Sequence, residues 1–150
     1  MEIRQLTPAI GAEISGVNLG DASRDGDLFA HIKAALLKHR VIFLRDQDIT
    51  RAEHVAFARR FGTLNIHPYV KGMKDHPELL EIIKEKEDKV NFGGGWHTDM
   101  SFEETPALGS ILHAIELPPY GGDTLFADQQ AAYDTLSPGL MEMLSGLKAV

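Results

Sequence analysis

Two amphipathic helical patterns separated by a four-residue apolar run limit this chain more than any other feature. Leu28, Ile32, Ala35 and Leu36 recur at helical spacing over residues 28–39. Val41-Ile42-Phe43-Leu44 follows, an apolar run bounded by charge, and reads as a buried strand. Thr50-Arg51-Ala52-Glu53 then has the spacing of a capping box. The helix it opens carries Val55, Ala56, Ala58 and Phe61 and stops at Gly62. Upstream, Ile10 to Leu19 is rich in glycine and β-branched residues and reads as a strand with turns at its ends.

Downstream the pattern shortens. Leu79 to Ile83 reads as a strand, and Lys84 to Lys89 as a solvated loop tip. Leu108 to Ile115 reads as a further strand, Pro118 to Gly122 as turn chemistry, and Thr124 to Ala127 as a short strand. Asp128 and Ser137-Pro138 are helix starts, the second with proline at the first helical position. The order is mixed α+β, with helices in the first third and strands in the middle. A new strand begins at Lys148-Ala149-Val150, so the domain is expected to continue beyond residue 150.

Composition narrows the chemistry. The 150 residues suffice for one domain with a real core. A formal net charge of -7, with basic residues scattered, argues against a nucleic-acid partner. No apolar stretch approaches membrane-span length, and Met1-Glu2-Ile3-Arg4 lacks the layout of a signal peptide, which favours the cytoplasm. Without cysteine, thiolate metal sites and cysteine nucleophiles are excluded. Any metal must be held by His, Asp or Glu.

His97 and Asp99 are the sharpest candidates. In an extended segment, side chains at i and i+2 share a face, so an imidazole and a carboxylate would converge on one point. That donor set suits a divalent metal of borderline hardness, and with one further His it would leave three octahedral positions open. The other reading is a surface histidine beside a charge partner. Gly93-Gly94-Gly95 lets backbone approach a ligand closely, and it is not a phosphate loop because no Lys-Ser/Thr follows. Trp96 reads as a packing anchor beside the pair, and Phe102 and Phe126 as core or pocket wall.

The run Trp96-His97-Thr98-Asp99-Met100-Ser101-Phe102 is followed by Thr105-Pro106, Gly109-Ser110-Ile111-Leu112 and Pro118. Gly121-Gly122-Asp123-Thr124-Leu125-Phe126 and Ala131-Ala132-Tyr133 come next. With the earlier Ile14-Ser15-Gly16-Val17, Phe43-Leu44-Arg45-Asp46-Gln47, Phe61-Gly62 and Ile66-His67-Pro68, the set closely resembles the taurine dioxygenase (TauD/TfdA) family. The resemblance spans nearly the whole chain in the family's order.

The resemblance implies a double-stranded β-helix (jelly-roll, clavaminate synthase-like) core flanked by helices, α+β to mainly β. Residues 1–150 would be the N-terminal part of a single domain. It implies an Fe(II)- and 2-oxoglutarate-dependent dioxygenase that uses O2 to hydroxylate a small organic acid, with release of succinate and CO2. His97 and Asp99 match two iron ligands, and Thr124 a residue that helps bind 2-oxoglutarate. The distal His and the cosubstrate Arg belong to the family's C-terminal half. His67 matches a substrate-contacting histidine, with Asn91 and Phe102 as further substrate-side candidates. Taurine-type members place an Asn three residues before this Trp. Gly93 stands there, and Asn91 is out of register, so taurine is not singled out among sulfonates, alkyl sulfates and aryloxyalkanoates. Related halogenases leave the Asp99 corner to chloride, so Asp99 favours hydroxylation. The family forms dimers or tetramers. Two other classes stay open: a metal-dependent hydrolase or lyase using the same ligands, and an inactive truncated binding module. The remaining histidines read as surface, packing or loop residues. His113, in a strand, reads as core or near the site.

Overall fold

Asp25 shows why the first long helix begins where it does. Its carboxylate accepts from the backbone N–H groups of Asp27 and Leu28 at 2.9 and 3.0 Å, satisfying donors that the first turn leaves unpaired. In the computed structural model, which describes residues 1–89 and 92–148, the elements run β1 (Glu2–Gln5), β2 (Ala12–Ser15), α1 (Leu19–Ala22), α2 (Gly26–His39), β3 (Ile42–Leu44), α3 (Arg51–Arg59), α4 (Gln129–Asp134) and α5 (Pro138–Ser145). They fall in two compact units, one of residues 1–48 with 114–150 and one of residues 49–113.

The first unit is built on a three-stranded sheet in the order β1-β2-β3. β1 pairs antiparallel with β2, placing Arg4 opposite Glu13. β2 pairs parallel with β3, a connection that needs a crossover and receives it from α1 and α2. Ala12 and Ile14 point inward from β2, while α2 buries Phe29, Ile32, Ala35 and His39. Of the expected face, Ile32 and Ala35 are buried and Leu28 and Leu36 half-buried, while Phe29 and His39 complete the buried stripe. Ile14 and Ile32 are at most 1% exposed, and burying each contributes about 1.5–3 kcal/mol.

Polar groups tie the sheet's ends. Glu13 accepts from Arg4 at 3.1 Å and Arg45 at 3.4 Å, and those guanidinium hydrogen bonds hold its carboxyl below the ordinary value. Gln47 accepts from the Leu19 N–H at 2.9 Å and donates to the Val17 carbonyl at 3.1 Å, fastening the chain after β3 to the start of α1. Phe126 stacks edge-on against Phe43 at 5.9 Å.

In the second unit, α3 opens with the expected capping box. Glu53 N–H donates to Thr50 Oγ1 at 3.2 Å, and the Glu53 carboxylate accepts from Thr50 N–H at 2.9 Å. Val55 and Phe57 are buried on this helix. Arg51 and Arg59 reach Glu81 and Glu78 at 3.6 and 3.1 Å, tethering the following loops. The expected loop tip at 84–89 is a turn closed by Asp88, which accepts from the Glu85 N–H and, through its carbonyl, from the Lys84 ammonium.

Three expected strands are not formed. Residues 79–83, 108–115 and 124–127 join no ladder, and His113 therefore lies outside any strand. A strand needs a neighbour to take its N–H and C=O groups, and apolar pattern alone does not supply one. Several apolar side chains there stay exposed: Leu112 at 73%, Ile115 at 84% and Leu125 at 72%. β1 formed without having been anticipated, because its residues alternate weakly and it is recruited by β2. The helix starts at Asp128 and Ser137-Pro138 are as expected, each side chain accepting from the residue three places on. The strand expected at 148–150 lies mostly outside the described residues. Among the described residues no helix is long and apolar enough to cross a membrane. The architecture is a mixed α/β arrangement with a small sheet.

Candidate metal centre

The segment that carries His97 joins no ladder, and a turn begins at Asp99. Met100 takes a positive φ of 56°, and Glu103 N–H closes on the Met100 carbonyl at 3.1 Å. The two side chains nonetheless converge, with His97 Nε2 3.2 Å from Asp99 Oδ1. The convergence expected of side chains at i and i+2 is present.

Each side chain is held from behind. His97 Nδ1 lies 2.7 Å from the Gly95 carbonyl. A carbonyl only accepts, so Nδ1 carries the proton and Nε2 keeps its lone pair for a ligand in the neutral ring. Asp99 Oδ2 accepts from Ser110 Oγ–H at 3.0 Å, leaving Oδ1 toward His97. Gly93, in the left-handed region at φ 67°, lies against the ring: a Cβ there would stand 3.2 Å from His97 Cε1. Only a glycine combines that backbone with that approach at no steric cost.

Both side chains are exposed, and an exposed pair contributes at most about 1 kcal/mol to stability. The spacing is also that of two adjacent corners of a metal site. Two donors each about 2.1 Å from an ion and at right angles stand about 3.0 Å apart, close to the observed edge. Among the described residues no group of three or more His, Asp or Glu could hold an ion.

The other candidates lie as follows. His67 Nδ1 accepts from the backbone N–H groups of Tyr69 and Val70 at 3.1 and 3.0 Å, so its proton sits on Nε2. Its ring meets Tyr69 at 6.2 Å, and Tyr69 meets Phe102 at 6.0 Å, which brings His67 and Phe102 into one aromatic row. Sequence reading missed Tyr69, for which nothing but proximity to His67 was a signal. Thr124 is exposed, in the other unit, ahead of α4. Asn91 lies outside the described residues. Trp96, expected as a packing anchor, is 72% exposed, because among the described residues no neighbour covers its ring. Phe102 is likewise exposed, with its ring beside Tyr69. His54 and His113 meet edge-to-face at 6.0 Å, and His54 Nε2 donates to the Ile111 carbonyl at 3.2 Å. Burial lowers the His54 pKa, the hydrogen bond to Ile111 opposes that, and His113 adds a smaller lowering.

The family model for "Taurine catabolism dioxygenase TauD, TfdA family" matches residues 2–150. An alkylsulfatase of Acinetobacter baylyi is 35% identical over all of this chain and 46% of its own length. An (S)-phenoxypropionate/alpha-ketoglutarate-dioxygenase of Sphingobium herbicidovorans is 33% identical over 99% of this chain and 52% of its own. The crystal structure of a taurine dioxygenase from Burkholderia xenovorans superposes with a TM-score of 0.78 at 37% identity, over 97% of this chain and 51% of that one. The chain thus spans about half the length of the curated relatives it matches. With His97, Asp99 and the surrounding motifs in the family's order, this chain belongs to the TauD/TfdA family of dioxygenases.

Proposed function

We propose that the whole protein is an Fe(II)- and 2-oxoglutarate-dependent dioxygenase that hydroxylates a small organic acid of sulfonate, alkyl sulfate or aryloxyalkanoate type. One oxygen atom of O2 would enter a substrate C–H bond and the other would enter succinate as CO2 leaves. The observation that carries this reading is the 3.2 Å convergence of His97 Nε2 and Asp99 Oδ1, in a chain of this family. Bound iron would supply the centre at which cosubstrate and O2 react.

The chain's own residues would prepare that centre. His97 and Asp99 would hold the iron at two adjacent corners, and the third ligand would come from the rest of the protein's length. Thr124 would help bind 2-oxoglutarate. His67, with its proton on Nε2, would donate to the acidic group of the substrate, while Phe102 and Tyr69 form an apolar wall beside it. Asn91 would lie on the substrate side. The unpaired segments 79–83, 108–115 and 124–127 would become strands of a jelly-roll core, with residues 1–150 as the N-terminal part of that single domain. Their exposed apolar side chains support this, since pairing would bury them. We place the protein in the cytoplasm, as a dimer or tetramer, acting on small molecules.

The full-length protein with Fe(II) and 2-oxoglutarate should form succinate in the presence of such acids and show a weak visible charge-transfer band without oxygen. His97→Ala should abolish both. Turnover retained by His97→Ala, or turnover that ignores 2-oxoglutarate, would overturn the reading.

A further inference from the structure

We infer that Ser110 is a positioning residue for the metal centre: its hydroxyl selects which oxygen of Asp99 faces the ion. The inference rests on the proposed role of Asp99 as a ligand.

A carboxylate can present either oxygen, or both at once. Here Oδ2 accepts from Ser110 Oγ–H at 3.0 Å, and Oδ1 is the oxygen 3.2 Å from His97 Nε2. With Oδ2 tied, Asp99 is restricted to one metal-facing oxygen, which keeps the remaining corners open for cosubstrate and O2. Ser110 is itself anchored. The next residue's carbonyl accepts from His54 Nε2–H at 3.2 Å, and the His113 ring packs edge-on against His54. His54 sits on α3, whose start is fixed by the Thr50–Glu53 capping box. A capped helix thus holds the 110–113 segment, and the segment aims the carboxylate. His97 has its counterpart in the Gly95 carbonyl, so each side chain of the proposed pair has one group that orients it from behind.

The test uses metal-free full-length protein titrated with Mn(II) alone, by calorimetry, alongside thermal unfolding. Ser110→Ala should weaken Mn(II) binding by about 10-fold or more, in the range seen when outer partners of ligands are removed. Its unfolding temperature should hardly move, because the site is exposed. Ser110→Thr keeps a hydroxyl and should restore most of the affinity. Unchanged affinity in Ser110→Ala, with binding lost in Asp99→Ala, would overturn the role of Ser110 and leave Asp99 a ligand. Unchanged affinity in Asp99→Ala would overturn the site itself. A Ser110→Thr variant as weak as Ser110→Ala, with both unfolding early, would show a merely structural residue and also overturn the inference.

Discussion

Arg40 Nη1 lies 3.1 Å from Asp128 Oδ2, so the residue that ends α2 holds the residue that starts α4. Asp128 is nearly buried, with 6% of its side chain exposed, and also accepts from the Ala131 N–H at 3.0 Å. Arg40 takes this position in the left-handed region, at φ 63°. Arg40→Ala keeps the backbone strain and leaves a buried carboxylate without its cation, which should cost about 2–4 kcal/mol. Arg40→Gly loses the same pair but relieves the backbone, so it should be the less damaging variant by about 1 kcal/mol. Urea unfolding of the full-length protein decides this; equal midpoints for the two variants would contradict it.

Gly93 stands behind His97, where a Cβ would come within 3.2 Å of the ring. Gly93→Ala should lower stability by about 1–2 kcal/mol through the left-handed backbone alone. It should also displace the imidazole, so Mn(II) affinity should fall further than stability explains. An alanine variant that binds Mn(II) as the parent does would remove Gly93 from the site.

His54 makes stability depend on pH. Its folded pKa lies below the ordinary value of about 6.5, chiefly through burial. Between the folded and unfolded values the unfolded chain binds more protons, so stability rises with pH there and is lost as pH falls below about 6.5. His54→Gln should flatten that part of the profile, measured as unfolding midpoints between about pH 5 and 8. An unchanged slope would assign the dependence elsewhere.

Local chemistry was legible because its partners are neighbours in the chain. The Thr50–Glu53 box, the caps at Asp128 and Ser137 and the turn at Asp88 each close within a few residues. His97 and Asp99 were legible for the same reason, two positions apart and framed by a recognisable run of residues. The strands of the middle third were not, since a ladder is a property of two segments and the pattern of one cannot supply the other.

What the sequence determined by itself, then, was the pair of residue types proposed as ligands and the helices whose ends are capped locally. Tertiary structure decided how the pair is aimed. The serine that ties Asp99 comes from another segment, fastened to α3, at a separation that the local pattern does not encode. An imidazole and a carboxylate become a metal edge only when both are oriented, and their orienting groups come from backbone and side chains brought near by folding.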